Sequence, residues 1–206
     1  MVSLPEQNYV VEIKVSDHRA LHFQRGNIVE YPADAIVNAA NSYLAPGAGV
    51  CGAIHSAGGP SIAAECRRIF EERGPVPPGQ AVATTAGLLN AKYVIHTVGP
   101  VWNGGSSGES NLLADCYRHS IRLADELGLR SIAFPAISTG VFGYPMDKAA
   151  NVAIRTVVDH LPAEKHVTLV SLILFDRSSL DAFTKVALSL QELGRIPETS
   201  IGVINA

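Results

Sequence analysis

Residues 35–55 read AIVNAANSYLAPGAGVCGAIH, and this stretch decides the fold class. Its first seven residues form a short apolar run that ends in asparagine, which is typical of a buried strand. Three glycines then fall within six positions, at 47, 49 and 52. From Cys51 onward the residues predict a helix. A strand, a glycine-rich loop and a helix in succession indicate an α/β fold.

The rest of the chain repeats this alternation of strands and helices. The helix from Cys51 is predicted to break near Gly58-Gly59-Pro60 and to continue to residue 73. Runs 9–15 and 19–24, joined by a polar turn, predict a hairpin. Further strands are predicted at 81–87, 91–100, 131–137 and 166–175, and further helices at 112–127, 146–161 and 179–193. This order predicts a mostly parallel sheet with helices on both faces.

Length and composition narrow the class of protein. The 206 residues fit one domain, with a core over about 9–193 and a loosely ordered tail at 194–206. The net charge of −3 argues against a nucleic-acid partner, which needs a basic surface. Three cysteines, an odd number, favour a reducing compartment over a disulfide framework. With no signal peptide and no apolar run near ~18 residues, the sequence predicts a cytoplasmic protein without a membrane partner.

Three glycine-rich or polar stretches follow predicted strands, at 38–52, 99–108 and 138–144. Because ligands of such sheets bind beyond the carboxyl ends of the strands, these stretches predict a binding cleft. The first stretch is either a plain turn or an anion-binding loop at a helix N-terminus. It has neither the setting of a dinucleotide fingerprint nor the Lys-Ser/Thr of a P-loop.

The stretch PAISTGVFGYP at 135–145 repeats the same arrangement. Ser138 and Thr139 offer hydroxyls, and Phe142 can pack on a sugar or a base. Two such loops at one sheet edge suit a ligand with two phosphates. Asn41 is expected to reach a sugar hydroxyl from this edge, whereas Asn38 is expected to cap or turn the chain at the strand end.

These motifs resemble the macro domains, specifically the MacroD-type group. The resemblance rests on NAANS and GAGVCGAIHSAGGP, on YVIHTVGPVW and on SIAFPAISTGVFGYP, and it runs from about Gly26 to Phe175. It implies a three-layer α/β/α sandwich with a central mixed, mostly parallel sheet. It also implies a cleft for ADP-ribose, and hydrolysis of ADP-ribose from acidic side chains of proteins or deacetylation of O-acetyl-ADP-ribose.

The resemblance also assigns individual residues of this chain. Asn27 and Ile28 are expected at the adenine, with Asn27 where the family usually has Asp, and Phe175 is expected to stack on the base. Asn41, Cys51 and Phe142 are implied at the distal ribose, where catalysis would occur. The two phosphate-facing loops are implied at Gly49, Val50, Cys51 and Gly52 and at Ser138, Thr139, Gly140, Val141 and Phe142.

Cys51 departs from the pattern GGGVDGAIH of MacroD-type hydrolases, whose Asp is thought to position or activate the attacking water. A thiol with an ordinary pKa of about 8.5 is a nucleophile more than a water-orienting group. Some viral macro domains are similar in having Cys here and retain hydrolase activity. The sequence therefore leaves two main hypotheses, a hydrolase and a non-catalytic reader of ADP-ribose. A third, binding of RNA or another nucleotide, is disfavoured by the acidic net charge.

No cofactor and no metal is expected. Cys51, His55 and Cys66 come near one another in sequence, and a zinc-containing macro subgroup uses Cys and His ligands in this region. Its additional upstream Cys is absent here, and a closed structural zinc site needs four ligands. His55 is therefore expected to be buried and satisfied by the backbone, and His96 to be a strand histidine near the cleft.

Overall fold

The computed structural model describes residues 9–197 and 200–205, which form one eight-stranded sheet with helices on both faces. The strands are β1 Tyr9–Ser16, β2 Arg19–Arg25, β3 Ala35–Ala40, β4 Ala81–Thr85, β5 Tyr93–Val98, β6 Ser131–Phe134, β7 Leu169–Leu174 and β8 Ile201–Asn205. The helices are α1 Gly49–Gly58, α2 Pro60–Arg73, α3 Glu109–Glu126, α4 Met146–His160 and α5 Arg177–Glu192. Short 3-10 helices lie at Ile28–Glu30 and Leu161–Ala163.

The strand order is β4-β5-β3-β6-β7-β2-β1-β8. The five central strands, from β5 to β2, pair in parallel, while β4 at one edge and β1 and β8 at the other pair antiparallel. The predicted α/β fold with a mixed, mostly parallel sheet is thus confirmed. All carboxyl ends of the parallel strands lie on one edge of the sheet, where a cleft is expected.

Strand β3 shows how the sheet separates two cores. Ala35 and Val37 pack into a cluster with α3, α4 and α5, which includes Tyr117 and Phe183. Ile36 and Ala40 face the opposite side and pack with residues of α1 and α2. Because successive side chains of a strand point to opposite faces, a strand buried on both sides must be apolar at nearly every position.

The break between α1 and α2 is confirmed. Gly59 has a φ of 79°, a left-handed conformation that glycine adopts without strain, and its N–H donates to the His55 carbonyl oxygen at 3.1 Å. Pro60 then opens α2, where its missing N–H has no cost.

The prediction of a loosely ordered tail is wrong for residues 201–205. They form β8, which pairs antiparallel with β1 and covers its edge. Ile201 packs against the larger core, while Val203 and Ile204 stay partly exposed. This strand is short, and its Ile and Val residues are interrupted by Gly202 and followed by Asn205, so pairing with β1 stabilises its conformation.

Within the described part of the chain, none of the helices is long and apolar enough to cross a membrane.

Candidate functional site

Two adjoining cavities lie at the carboxyl edge of the parallel strands. The Cys51 cavity has a volume of about 300 Å³, and its lining includes Asn41, Cys51, Gly99, Ser138, Val141 and Phe142. The Phe175 cavity has a volume of about 560 Å³, and its lining includes Asn27, Ile28, Thr139, Met146, Phe175 and Asp176. Both cavities are lined by Gly49, Val50, Ala136 and Gly140, which form the junction between them, here called the waist.

Twelve of the thirteen residues predicted for binding line this cleft. Gly52 is the exception, because it lines neither cavity. A Cβ atom at Gly52 would lie 2.5 Å from the carbonyl oxygen of Gly47. The glycine therefore allows the loop before α1 to close tightly on the helix, and we assign it a packing role.

The N-terminus of α1 supplies one side of the waist. Gly49, Val50 and Cys51 form its first turn, and their N–H groups have no acceptor within the helix. Ala48 at the N-cap provides no side-chain hydrogen bond, and the first turn carries no acidic residue. Free N–H groups and the positive end of the helix dipole together favour an anion at this position.

The loop at 138–144 supplies the other side. Ser138 adopts a φ of 67°, which is uncommon for a residue with a side chain and indicates local strain. The successive N–H groups of Gly140, Val141 and Phe142 make no hydrogen bond to any described residue. Such a run of free N–H groups beside a helix N-terminus can hold an anion from its opposite side.

Gly99 allows the Ser138 loop to lie close to the end of β5. A Cβ atom at Gly99 would fall 2.2 Å from Ser138 Oγ and 2.8 Å from Ile137 Cγ2. The Ser138 hydroxyl is buried, with no partner among the residues that the structure describes. Ser138 lines the Cys51 cavity, but its hydroxyl oxygen is covered, so the buried group stays unpaired unless the loop moves.

Asn41 organises its own loop. Its Nδ2 donates to the Ala45 carbonyl oxygen at 2.8 Å, and its Oδ1 accepts from the N–H groups of Tyr43 and Ala45 at 3.1 and 3.2 Å. One N–H of the amide is left for a ligand in the Cys51 cavity. The contact with a sugar hydroxyl stays a prediction, and the structure adds a structural role that the sequence did not indicate.

Cys51 is buried between two polar neighbours. Its thiol donates to the Ala45 carbonyl oxygen at 3.7 Å, and its sulfur accepts from Asn38 Nδ2 at 3.6 Å. The thiol hydrogen is thus directed to the loop and away from the ligand space. This arrangement positions the side chain, but it provides no acceptor comparable to a carboxylate.

The expectation that Asn38 caps the strand end is wrong. Asn38 lies inside β3, is 1% exposed, and donates from Nδ2 to Nδ1 of His96 at 3.0 Å. His96 is a strand histidine, as predicted, and its Nε2 lies 2.9 Å from Thr84 Oγ1. Burial lowers the pKa of His96 to about 3, so its ring is neutral.

The expectation that the backbone satisfies His55 is also wrong. Both of its ring nitrogens are buried and have no partner in the described chain, and burial lowers its pKa. His55, Cys66 and His96 place ligand atoms within 4.8 Å of one another. Cys66 Sγ, however, lies 3.9 and 3.7 Å from the two ring nitrogens of His96, so it sits over the ring face.

This arrangement does not suit a metal ion. Both nitrogens of His96 already face Asn38 and Thr84, and a nitrogen binds metal only through its in-plane lone pair. Burial also raises the pKa of the Cys66 thiol to about 12, which disfavours the thiolate that binds metal. The cluster is best described as the polar floor beneath the Cys51 cavity.

At the other end of the cleft, Asn27 caps the 3-10 helix that begins at Ile28. Its Oδ1 accepts from the Val29 N–H at 3.4 Å, and its Nδ2 donates to Glu30 at 2.9 Å. The oxygen keeps one lone pair for a ligand, as the predicted adenine contact requires. Ile28 is buried at 5% exposure, whereas Phe175 is 83% exposed and forms a free aromatic face.

Asp176 and Trp102 are among the residues at this site that the sequence predictions missed. Asp176 lines the Phe175 cavity and caps α5, accepting from the Ser179 N–H at 2.7 Å. An Asp at the start of a helix-compatible run is the sequence signal that could have revealed it. Trp102 supports the loop at 138–144, because its backbone N–H donates to the Phe142 carbonyl oxygen at 2.9 Å. A backbone contact of this kind leaves no sequence signal.

The sequence of this chain is similar to those of known proteins. The sequence model of the macro domain family matches residues 37–153. A macro domain-containing protein of Caldanaerobacter subterraneus is 52% identical over 161 residues, which cover 78% of this chain and 91% of the relative. An O-acetyl-ADP-ribose deacetylase of Klebsiella pneumoniae is 48% identical over 164 residues, covering 80% and 94%.

A solved structure agrees with these matches. A point mutant of the Oceanobacillus iheyensis macrodomain with ADPR (ADP-ribose) has a TM-score of 0.83 and 36% sequence identity, and the match covers 88% of this chain and 98% of that one. The family match spans more than half of the chain, including both loops that form the waist of the cleft. This chain belongs to the macro domain family.

Proposed function

We propose that the protein binds ADP-ribose in this cleft and hydrolyses it from acidic side chains of proteins, or deacetylates O-acetyl-ADP-ribose. The waist between the two cavities carries this proposal. Free N–H groups of α1 and of the Ser138 loop face it from two sides, as a diphosphate requires. The Klebsiella pneumoniae relative and the ADPR-bound Oceanobacillus iheyensis structure support the choice of ligand.

The two cavities differ in a way that orients this ligand. The larger Phe175 cavity offers an exposed aromatic ring and the Asn27 oxygen, which suit adenine and its amino group. The Cys51 cavity then takes the distal ribose, with the remaining amide N–H of Asn41 as a polar partner. Phe142 lines this cavity and packs on the sugar.

Catalysis in this scheme rests on the bound diphosphate and its surroundings. Fixed N–H donors stabilise charge that develops at the phosphates, and a water is held between phosphate and distal ribose. Asn41 orients the sugar. Cys51 is expected to shape the floor of the cavity, since its thiol hydrogen is committed to Ala45.

The Cys51 side chain also favours a second candidate, a reader that binds ADP-ribose without hydrolysis. The thiol of Cys51 accepts a proton poorly, and no carboxylate lines the Cys51 cavity among the described residues. Both candidates share the bound ligand. They differ in whether the water between phosphate and ribose is activated.

Calorimetry with ADP-ribose, followed by release of ADP-ribose from a modified protein, tests the proposal. Gly140→Glu places a carboxylate at the waist and should abolish binding, whereas Gly140→Gln has the same bulk and no charge. A Cβ atom at Gly140 meets nothing within 4 Å and its φ is not positive, so both variants should fold. If ADP-ribose does not bind, or if the glutamate variant binds as well as the parent, the proposal is wrong.

Cys51→Asp separates the two candidates. A parent that releases ADP-ribose faster than Gly140→Glu is a hydrolase. A parent that binds but does not turn over, and whose Cys51→Asp variant does, is a reader. The described cysteines are unpaired, which fits a reducing compartment, and we propose that the protein acts in the cytoplasm.

A further inference from the structure

We propose that a second groove, next to the Cys51 cavity, holds an extended segment of the protein that carries the ADP-ribose. This inference rests on the proposed function. The Trp102 groove has a volume of about 480 Å³ and is defined by Trp102, Tyr144, Lys148, Asn151, Val186 and Leu193. It lies outside both cavities of the cleft, and the chemistry described above does not use it.

The position of the groove relative to the cleft is the first argument. Two chain segments run from the wall of the Cys51 cavity to the wall of the groove, one from Gly99 to Trp102 and one from Phe142 to Tyr144. The backbone N–H of Trp102 donates to the Phe142 carbonyl oxygen at 2.9 Å and joins the two segments. The groove therefore begins three residues away, within roughly 10 Å of extended chain.

This end of the cleft is where the modified side chain must leave. With the distal ribose in the Cys51 cavity, its bond to a protein carboxylate lies at the cavity mouth, near Val141 and Phe142. Val141 is 92% exposed, and Val101, between the cavity and the groove, is 52% exposed. A polypeptide segment that leaves the modified residue on this side therefore passes over this apolar rim.

The lining of the groove fits a peptide. The Trp102 ring packs on Tyr144 with centroids 4.6 Å apart, and Val186 and the exposed Leu193 add aliphatic surface. Lys148 Nζ lies 4.9 Å from the centroid of the Trp102 ring. An aromatic and aliphatic floor beside an ammonium group suits an apolar side chain next to a carboxylate. The exposed Asp147 also lines the groove, so a strongly acidic segment is not required.

The Trp102 wall of the groove is fixed before any partner arrives. Glu109 accepts hydrogen bonds from the N–H groups of Asn103, Gly105 and Ser107, and so holds the loop that packs on Trp102. A Cβ atom at Gly105 would lie 2.6 Å from Trp102 Cη2, so the loop backbone is in close contact with the ring. A preorganised surface loses less conformational entropy when it binds.

The test compares one substrate that fills only the cleft with one that also reaches the groove. The first is O-acetyl-ADP-ribose, and the second is a protein mono-ADP-ribosylated on glutamate. Lys148→Glu and Leu193→Ser alter the groove, and Lys165→Glu and Leu88→Ser make the same changes at exposed positions that line neither groove nor cleft. KM is measured for each substrate, or Kd where there is no turnover.

Each groove variant should raise KM or Kd for the modified protein about fivefold, as expected for one partly exposed contact, and the double variant should raise it further. The values for O-acetyl-ADP-ribose and free ADP-ribose should stay within about twofold, and the control variants should match the parent. Equal changes in KM or Kd for both substrates, or no change for the modified protein, would overturn the proposal that the groove binds the modified protein.

The outcome also separates this inference from the proposed function. A parent that binds the modified protein without releasing ADP-ribose contradicts hydrolysis, yet its Kd still reports on the groove. A parent that binds no ADP-ribose contradicts both proposals. A parent that binds free ADP-ribose as tightly as the modified protein contradicts the groove alone.

Discussion

The Asn38 amide donates to Nδ1 of His96 at 3.0 Å beneath the cleft, and this pair determines which ring nitrogen carries the proton. The Thr84 hydroxyl donates to the Thr85 carbonyl oxygen at 3.0 Å, so it accepts from the Nε2–H of His96 at 2.9 Å. The ring is therefore neutral, with its proton on Nε2. The second N–H of Asn38 is directed at Cys51 Sγ, which connects the floor to the cavity.

Asn38→Ala should destabilise the protein. The substitution leaves Nδ1 of His96 buried without a donor, and the penalty for such a group is about 1–3 kcal/mol in the free energy of unfolding. Urea unfolding measures the change. Asn90→Ala, at an exposed asparagine, serves as the matched control and should change stability by less than about 0.5 kcal/mol. Equal effects of the two substitutions would show that the Asn38–His96 pair does not stabilise the fold.

Cys51 should react first with a small alkylating reagent. All three described thiols are buried, but Cys51 lines the cleft, while burial raises the pKa of Cys66 to about 12 and that of Cys116 to about 11. Reaction needs both thiolate and access, so iodoacetamide at pH 8 should modify Cys51 before the other two. Mass spectrometry of digested protein gives the three rates. ADP-ribose should slow only the first of them, and an unchanged rate would place the ligand elsewhere.

Gly99→Ala should weaken both stability and ligand binding. Its new methyl group would collide with Ser138 Oγ and Ile137, and overpacking of this kind costs about 1–3 kcal/mol. The Ser138 loop must shift, and its free N–H groups shift with it. Thermal unfolding and calorimetry with ADP-ribose measure the two effects.

A second substitution identifies the source of that loss. Ser138→Ala removes the closer of the two collisions, so the double variant should recover part of the stability lost in Gly99→Ala. The coupling free energy should exceed about 0.5 kcal/mol, as it does for residues in contact. Additive effects would mean that the strain lies at Ile137 alone.

Glu109 should make stability depend on pH in the acid range. Hydrogen bonds from its own N–H and from those of Asn103, Gly105 and Ser107 hold the pKa of its carboxyl below the ordinary value. The pKa of Glu109 is thus lower in the folded state than in the unfolded state, where it is about 4.3. The stabilisation of the fold by the ionised carboxylate is therefore complete above the unfolded pKa. It is lost as the pH falls through the folded pKa.

Glu109→Gln tests this dependence, because a neutral amide cannot titrate. The parent should be more stable than the variant at pH 7, and the difference should shrink in urea titrations carried from pH 5 towards pH 2. A difference that is constant over this range would show that the ionised carboxylate is not what holds the 103–107 loop.

The order of strands and helices in the parallel core could be predicted because each element has a single dominant signal, apolar runs for strands and helical spacing for helices. Boundaries that depend on a side-chain bond were less accessible. Helix α5 starts at Arg177 and not at 179, because Asp176 caps it. Strand β8 has no strong signal of its own, since its conformation depends on β1.

The site likewise contains features that could be predicted from the sequence and features that could not. The two loops could be predicted because glycines and hydroxyls directly after a strand mark a turn, and turns at the carboxyl edge of a parallel sheet bind ligands. The role of Asn38 could not, because its burial inside β3 depends on the helices that cover that face. The orphaned ring nitrogens of His55 are likewise a property of packing in three dimensions.

The division of the cleft into two cavities bears on the design of ligand analogues. Among the described residues, only Gly49, Val50, Ala136 and Gly140 line both cavities, so the side chains at the two ends line separate cavities. With the base at Ile28 and Phe175, as proposed, shortening these two side chains should admit a synthetic nucleotide with an enlarged base, while Asn41 and Cys51 at the far end stay untouched. We expect such a variant to capture a tagged ligand analogue from a mixture that also contains the natural ligand.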